Sequence, residues 1–363
     1  MRVRPGRGSR PRTRRRPAHE DAAQAFVVAV DRGRYHCVIG DRQVTAMTAR
    51  ELGHRRVVVG DTVSLAGDTS GAPGTLARIV RVAPRTTVLR RSADDTDPVE
   101  RAIVANADQL VIVCALADPP PRSRLIDRFL VAAYDAGLDP LLCLTKADLA
   151  SPDDLLAGYA PLGTEYVVTG RPLTEEMLAE LRRKLAGRLS VLVGHSGVGK
   201  STLVNALVPD AGRAVGLVSA VTGRGRHTSS SAVALRLPGG GWLIDTPGLR
   251  SFGLGHIAPD RIVQAFSDIA EGTANCPPGC THLEPDCALD SWVAAHGGGP
   301  LAARLDSLRR LLRSLEGLGS GDSAAEDSAP DDGPPAGTAP DDAIAADTIA
   351  ADTAAGDTLP EGR

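Results

Sequence analysis

Residues 194–201, Gly-His-Ser-Gly-Val-Gly-Lys-Ser, decide the fold of this chain because they match the phosphate-binding pattern GxxxxGK followed by Ser or Thr. The stretch follows an apolar run, Val191–Val193, and opens a helical pattern, Thr202–Leu207. Glycines let the backbone bend so that successive N–H groups face phosphate oxygens, and a helix N-terminus adds a favourable dipole. The stretch therefore predicts a strand, a nucleotide-phosphate loop and a helix in direct succession.

Individual side chains of this loop have predicted roles. Lys200 is expected to reach the β- and γ-phosphates and to act in catalysis, and the Ser201 hydroxyl is expected to ligate Mg²⁺. The loop alone does not separate ATP from GTP, or a kinase from a hydrolase. The residues of this region predicted to bind the nucleotide are Gly194, His195, Ser196, Gly197, Val198, Gly199, Lys200, Ser201 and Thr202.

A second phosphate-sensing motif, Asp245-Thr246-Pro247-Gly248, ends the strand-like run Trp242–Ile244 some 50 residues later. This spacing places Asp245 near Mg²⁺ through a water molecule and the Gly248 N–H near the γ-phosphate. Between the two motifs, Gly223–Thr228 is expected to form the first switch loop. The Thr228 hydroxyl would complete the Mg²⁺ shell when GTP is bound, with Ser229 as the alternative.

The residue after Gly248 is Leu249, where Ras-like GTPases place a glutamine that orients the attacking water. Leucine cannot do this, so the water is positioned otherwise or hydrolysis is slow until a partner assists. His227 is the nearest candidate for a catalytic role, because a neutral imidazole can hydrogen-bond water. The alternative is a solvated loop histidine.

A base-reading motif, TKAD, follows the apolar run Leu141–Leu144. Its members, Thr145, Lys146, Ala147 and Asp148, are all predicted to bind GTP. The Asp148 carboxylate can accept from both N1–H and N2–H₂ of guanine, a donor pair that adenine lacks, and the Lys146 stem would lie over the base. Asn is usual at the Thr145 position, so a modest weakening of binding is expected. A base-backing loop is expected near Thr169-Gly170.

The order of these motifs is circularly permuted. Ordinary GTPases run from the phosphate loop through the switches to the base motif, whereas here the base motif comes about 50 residues before the phosphate loop. As a consequence, the second switch at 245–253 leads directly into the C-terminal cysteine cluster. A switch movement is therefore expected to reach that cluster directly.

The cysteine cluster predicts a structural metal site. Cys276, Cys280, His282 and Cys287 supply three thiolates and one imidazole, a closed four-ligand set that suits Zn²⁺ and leaves no position for catalysis. Its tight spacing favours metal over disulfides. His256 and His296 are predicted to be surface residues, and the lone Cys37, Cys114 and Cys143 to be buried in strands.

Changes in composition predict a multidomain protein. Short β-rich runs at 22–83 suggest a small barrel, of either the oligonucleotide-binding or the SH3-like type, and runs from 99 to 255 alternate as in a parallel sheet with helices on both faces. The predicted regions are a disordered basic arm at 1–20, a β-barrel at 21–90, a circularly permuted α/β P-loop GTPase domain at 91–255, a small α-helical zinc-binding domain at 256–318 and a disordered acidic tail at 319–363.

The net charge of −3 is unevenly distributed. Residues 321–363 carry eleven acids and one base, whereas residues 1–17 hold eight arginines and no acid. A basic body with a basic arm suits a polyanionic partner such as nucleic acid. No apolar run reaches the length of a membrane span, and the few cysteines fit a cytoplasmic location, so we expect a cytoplasmic protein without a membrane partner.

Together these features resemble the ribosome small subunit-dependent GTPase A family over residues 10–315. The motifs on which this resemblance rests are TKAD at 145–148, GHSGVGKS at 194–201, GRHTSS at 225–230, DTPGLRSF at 245–252, the predicted zinc cluster and the string ERAIVANADQLVIV at 100–113. The resemblance implies an oligonucleotide-binding (OB-like) barrel, binding to the small ribosomal subunit late in its maturation, and GTP hydrolysis that is faster on the subunit. It also implies a hydrophobic residue at the Leu249 position and a switch histidine at the His227 position.

This chain departs from the family pattern in Thr145, in zinc spacings one residue shorter in each gap, and in the acidic tail. We expect a monomer that binds GTP and GDP, the small subunit and its rRNA, with Zn²⁺ as a structural metal and Mg²⁺ accompanying GTP. The alternatives are a non-hydrolysing, GTP-dependent RNA-binding assembly protein and a GTPase that acts on another partner, such as a membrane or signalling complex.

Overall fold

The computed structural model describes residues 19, 21–52, 56–92, 100–209, 232–246, 253–254, 256–296 and 298–316. These residues belong to one compact unit, Met1–Ser323. Apart from His19, the predicted basic arm lies outside the described residues, as does the acidic tail.

The described strands and helices alternate along much of the chain. The strands are β1 (Ala23–Asp31), β2 (Arg34–Ile39), β3 (Arg42–Thr48), β4 (Thr62–Gly67), β5 (Ala77–Val82), β6 (Val88–Arg91), β7 (Arg101–Ala105), β8 (Gln109–Ala115), β9 (Asp139–Thr145), β10 (Glu165–Val168), β11 (Leu189–Val193), β12 (Val233–Arg236) and β13 (Trp242–Asp245). The α-helices are α1 (Ser123–Ala136), α2 (Asp153–Tyr159), α3 (Glu175–Leu185), α4 (Lys200–Leu207), α5 (Pro259–Gln264), α6 (Ser267–Ala270), α7 (Ala288–His296) and α8 (Gly299–Glu316). Short 3-10 helices span Arg50–Leu52, Ala160–Leu162 and Glu271–Asn275.

The first five strands close a barrel in the order β1-β2-β3-β5-β4, with β4 pairing back onto β1. The β3–β5 pair is parallel and the other pairs are antiparallel. Apolar side chains that alternate along these strands fill the interior, among them Val27, Cys37, Leu65 and Ile79. This closed five-stranded order fits the oligonucleotide-binding barrel that the family resemblance implied.

Five parallel strands in the order β10-β9-β8-β11-β13 form the nucleotide-binding part of the sheet. Both faces of its central strand are apolar: Leu110 and Ile112 belong to one core and Val111 and Val113 to the other. The first core contains Phe129 and other residues of α1, whereas the second contains residues of α3 and α4. The predicted parallel sheet with helices on both faces is therefore confirmed.

The barrel and the nucleotide-binding strands belong to a single eleven-stranded sheet. Strand β12 runs antiparallel to β13 on one side and pairs with β1 on the other, where Ala29 lies opposite Val233. The rings of Phe26 and Trp242 pack beside this junction, with 4.9 Å between their centroids. The junction thus joins the barrel to the GTPase region through backbone pairing.

The C-terminal helices pack on α1. Phe266, Ile269, Leu289 and Leu308 are fully buried in the same core as the α1 residues. A polar contact also holds α8 against the 3-10 helix Ala160–Leu162, because the Arg304 guanidinium donates to the carbonyl oxygens of residues 161 and 162 at 3.1 and 3.0 Å. In the described part of the chain, we find no helix with both the length and the apolar character needed to cross a membrane.

Candidate functional site

The phosphate loop leaves β11 at the carboxyl edge of the parallel sheet and enters α4 at Lys200. Gly194, Gly197 and Gly199 have φ values of 143°, 80° and 96°, a backbone region that residues with a Cβ rarely adopt. A Cβ on Gly194 would lie 2.4 Å from the carbonyl oxygen of Val113 on the neighbouring strand. The glycines therefore let the loop lie directly on the sheet edge.

Two opposite charges face each other at this edge. The Lys200 ammonium donates to the carbonyl oxygens of Gly194 and, at 2.7 Å, His195, so it lies inside the loop that is predicted to hold phosphate. Burial lowers the pKa of Lys200, and Asp245 opposes that shift. Burial likewise raises the pKa of Asp245, and Lys200 opposes it. An anionic ligand beside Lys200 and a cation beside Asp245 would compensate for the cost of burying the two charged groups.

The end of β13 holds Asp245 in position. Asp245 lies opposite Leu192 in the β11–β13 ladder, one residue before the end of β11. The next residue, Thr246, is buried and donates its hydroxyl to the carbonyl oxygen of Leu192 at 2.5 Å. On the helix side, Ser201 and Thr202 are exposed in the first turn of α4, where their hydroxyls are accessible to a ligand.

The predicted first switch loop, with His227, Thr228 and the alternative Ser229, lies outside the described residues, as do Gly248 and Leu249 of the second switch. Their roles remain predictions.

The base motif begins where β9 ends, and its first residue contacts the phosphate loop. Thr145 is 5% exposed and donates its hydroxyl to the carbonyl oxygen of Val198 at 2.7 Å. Lys146 has a φ of 59° and donates its ammonium to the carbonyl oxygen of Asp118. Positive φ at a non-glycine residue costs about 1–3 kcal/mol and is concentrated at functional loops. The two loops therefore meet at one edge of the sheet.

The loop that follows β10 lies against the base motif, at the position expected for a base-backing loop. The Ala147 N–H donates to the carbonyl oxygen of Thr169 at 3.0 Å, and the Arg171 N–H donates to Asp148 Oδ1 at 2.8 Å. Asp148 itself is exposed, so its carboxylate is accessible to a base. The contacts of Arg171 with Asp148, and of Asp118 with Lys146, were not predicted, because both join residues more than 20 positions apart.

The four predicted zinc ligands also converge. Their ligand atoms all lie within 4.8 Å of one another. His282 Nδ1 is 3.6 Å from the sulfur of Cys276, 3.7 Å from that of Cys280 and 3.8 Å from that of Cys287. The Cys276 and Cys287 sulfurs are 3.8 Å apart. A tetrahedral zinc with Zn–S bonds of about 2.3 Å requires an S–S separation of about 3.8 Å, so the donor set fits this metal.

Surrounding contacts orient the predicted metal ligands. The His282 N–H donates to the sulfur of Cys280 at 3.3 Å, and Arg309 donates to the carbonyl oxygen of His282 at 3.0 Å. Arg309 is held in turn by a bidentate pair with Asp290, at 2.7 and 2.6 Å. This second layer joins the cluster to α7 and α8, as expected for a structural metal site.

One histidine prediction was wrong. His256 is half-buried, and its Nδ1 lies 3.3 Å from the hydroxyl of Ser92, which is fully buried. Ser92 also pairs with Gly253 in an isolated bridge, so the chain that leaves the second switch is held against the end of β6. This contact could not be predicted from local patterns because 164 positions separate Ser92 from His256. His296 is exposed, as predicted, and stacks on Trp292.

A parallel sheet with a phosphate loop after β11, and a base motif after the earlier strand β9, defines a circularly permuted P-loop GTPase. A family model described as RsgA GTPase matches residues 82–255. A Pseudomonas aeruginosa (strain LESB58) protein named small ribosomal subunit biogenesis GTPase RsgA is 40% identical over 267 residues, which span 71% of this chain and 76% of that protein. The chain belongs to the RsgA GTPase family.

A further relative and two solved structures are also similar to this chain. A protein of the same name from Ectopseudomonas mendocina (strain ymp) is 44% identical over 223 residues, 59% of this chain and 64% of the relative. The fold is similar to the crystal structure of YjeQ from Thermotoga maritima, with a TM-score of 0.59 and 24% identity over 81% of this chain and 99% of that one. It is also similar to YloQ, described as a circularly permuted GTPase, with a TM-score of 0.58 and 23% identity over 84% of this chain and 98% of that one.

Proposed function

We propose that this GTPase binds the small ribosomal subunit and acts in its late maturation, hydrolysing GTP to GDP and phosphate at a rate that the subunit increases. The observation that carries the proposal is the single sheet that joins a guanine-nucleotide site to an OB-type barrel. Exposed arginines on that barrel supply the charge that an RNA backbone requires; they are Arg32, Arg34, Arg42, Arg50 and Arg78. The names of the relatives, which are small ribosomal subunit biogenesis GTPases, support the same assignment.

Residues of the site divide into phosphate, base and metal functions in this proposal. Lys200 and the N–H groups of residues 194–202 bind the phosphates, and Asp148 reads the base. Ser201 and Thr228 would hold Mg²⁺, and the Asp245 carboxylate would assist them from the end of β13. Magnesium supplies charge neutralisation at the β- and γ-phosphates when it is bound.

The attacking water is the remaining element of the reaction. Leu249 cannot orient it, and His227 is the proposed replacement. Intrinsic turnover should therefore be slow and should rise when the subunit orders the switch. Cys276, Cys280, His282 and Cys287 hold a structural Zn²⁺ away from this chemistry. We also propose that the protein acts as a cytoplasmic monomer, a location with which its free thiols agree.

The decisive experiment measures GTP turnover with purified small subunits, with large subunits as the control, and without either. We expect stimulation by small subunits alone. Equal turnover in all three conditions would contradict the proposal, and the absence of turnover in all three would favour a non-hydrolysing RNA-binding role. Binding to small-subunit RNA should weaken steeply as salt is raised, because phosphate contacts release counterions. His227→Ala should lower stimulated turnover while GTP affinity is unchanged, and an equal loss of both would make His227 a structural residue.

A further inference from the structure

The chain that follows the second switch is fixed to the protein by His256, Gly253 and Ser92, here called the His256 anchor. His256 Nδ1 lies 3.3 Å from the hydroxyl oxygen of Ser92, which is fully buried. The Ser92 N–H donates to the carbonyl oxygen of Gly253 at 3.1 Å, so Ser92 holds this chain through both its backbone and its side chain. Leu254 is 1% exposed and belongs to the same core as the α1 residues. Two polar contacts and apolar packing therefore hold the chain at this point.

The opposite end of the second switch is fixed as well. The Thr246 hydroxyl donates to the carbonyl oxygen of Leu192 on β11 at 2.5 Å. Positions 247–252 run between this contact and the His256 anchor. The anchor also lies between the second switch and the predicted metal cluster in the sequence. A switch movement that travels along the chain toward the cluster must therefore pass the His256 anchor.

Charged groups from four parts of the fold act on the His256 imidazole. Arg90 of β6 pairs with Glu100, next to β7, at 3.0 Å. Arg261 of α5 pairs with Asp135 of α1, also at 3.0 Å. These two positive and two negative groups balance one another, so a protonated imidazole would add an uncompensated charge. His256 Nε2 is buried and has no hydrogen-bond partner among the described residues, so no polar contact there would offset that charge.

The pKa of His256 reflects these surroundings. Burial lowers the pKa, and the Asp135 and Glu100 carboxylates oppose the shift. Because the folded value lies below the unfolded pKa of about 6.5, the contribution of His256 to stability is fully present above that pH. The contribution is lost as the pH falls through the folded value. The anchor should therefore hold at neutral pH and weaken in acid.

We propose that His256 is a positioning residue for GTP hydrolysis: as a neutral imidazole bound to Ser92 it fixes the end of the second switch, and protonation releases that end. The driving force for release is the cost of keeping an uncompensated imidazolium buried. This inference rests on the proposed function, because it gives the second switch a part in turnover. It implies that turnover has a pH-dependent component that arises outside the nucleotide pocket.

Ser92→Ala in the full-length protein tests the anchor. The variant loses the hydroxyl but keeps the N–H that binds Gly253. At about pH 8, hydrogen–deuterium exchange in peptides covering 253–257 should be about tenfold faster and kcat for GTP about fivefold lower, with KM unchanged. The control Ser307→Ala removes another buried hydroxyl, which donates to the Ala303 carbonyl oxygen within α8, and should change neither quantity. Unchanged exchange in Ser92→Ala, or a lower melting temperature with unchanged kcat, would overturn the proposal.

His256→Asn tests the protonation state. The asparagine amide lies where Nδ1 was, can still hydrogen-bond the Ser92 hydroxyl and does not titrate. The kcat of His256→Asn divided by that of the wild type should be close to one at about pH 8 and rise to about five at about pH 5.5. His227 is present in both proteins, so its own titration cancels from this ratio. A ratio that does not change with pH would overturn this inference alone, whereas a wild type without GTP turnover would refute the proposed function.

Discussion

Arg310 of α8 forms an ion pair with Asp127 of α1, with 3.2 Å between Nε and Oδ2. The guanidinium also donates to the carbonyl oxygen of Gly158 at 3.0 Å and lies 4.7 Å from the centre of the Tyr159 ring. A single side chain of the C-terminal helix α8 thus contacts both α1 and α2 of the GTPase region. Burial raises the pKa of Asp127, and Arg310 opposes that shift.

Replacement of Arg310 should therefore destabilise the protein. Arg310→Ala leaves the Asp127 carboxylate buried without its partner, and we expect a loss of about 2 kcal/mol, less than for a fully buried pair because Arg310 is partly exposed. Urea unfolding measures the loss. Arg313→Ala, at an exposed position on the same helix, is the matched control and should change stability little. Equal stability of the two variants would show that the pair contributes nothing.

Removal of the metal should loosen the C-terminal region. We expect one zinc per chain by atomic absorption, and Cys280→Ser or chelation should remove it and lower the melting temperature. The reason is that the free energy of binding the metal to three thiolates and an imidazole contributes to the stability of the folded state. His296→Ala, which alters an exposed histidine of α7, is the control and should keep both metal and stability. A wild-type protein that melts identically with and without chelator would contradict the assignment.

Asp148→Asn should change which base is preferred. The new amide can donate to the C2 oxygen of xanthine, whereas it loses the bidentate acceptance of the guanine donors, so XTP should be favoured over GTP by about tenfold. The contact of the Arg171 N–H with Oδ1 survives in asparagine, so folding should be retained. Asp154→Asn, an exposed acid in the first turn of α2, should leave the preference for GTP intact. Unchanged guanine preference in Asp148→Asn would exclude the motif as the base reader.

The pH dependence of magnesium-assisted binding follows from Asp245, whose pKa is raised by burial. A raised pKa in the folded state makes this group's contribution to stability largest below its unfolded pKa of about 3.9, and that contribution is lost as the pH rises through the folded value. Mg²⁺ binding requires the ionised Asp245 carboxylate, so the Mg²⁺-dependent part of GTP affinity changes with pH in the direction opposite to this contribution to stability. We expect the Mg²⁺-dependent part of GTP affinity to decline as the pH falls toward about 4, beginning above the range in which exposed carboxyls titrate.

Calorimetric titrations with and without Mg²⁺ across this range check the prediction. Asp245→Asn should reduce the Mg²⁺-dependent component and remove most of its variation with pH. A magnesium effect that is constant down to pH 4 would show that Asp245 does not contact the ion's shell.

Local patterns predicted the elements that carry the site. The runs around Leu110–Ala115 and Val191–Val193 form strands because branched apolar residues are buried on both faces, and the glycines at 194, 197 and 199 occupy the backbone region that only glycine enters easily. Strand β3, with the sequence RQVTAMT, was not predicted. Only Val44 and Ala46 of its side chains are buried, so its apolar signal is weak and its pairing with β5 stabilises it.

Contacts between distant residues could not be predicted in the same way. Thr145 and Val198 are 53 positions apart, and their hydrogen bond depends on how β9 and β11 are ordered in the sheet. Ala29 and Val233 are even farther apart in the sequence. Their pairing involves β12, a four-residue strand that carries no distinctive pattern. Such contacts arise from topology, which a single sequence specifies only through the sum of many weak preferences.

The pairing of β1 with β12 has a practical consequence for dissecting this protein. Deletion of the barrel would leave β12 as a bare sheet edge and would uncover one face of Trp242. Exposed edges with unpaired N–H and C=O groups invite intermolecular strand addition. A shortened GTPase fragment should therefore tend to self-associate, and solubility would have to be engineered at Val233 before its isolated behaviour could be interpreted.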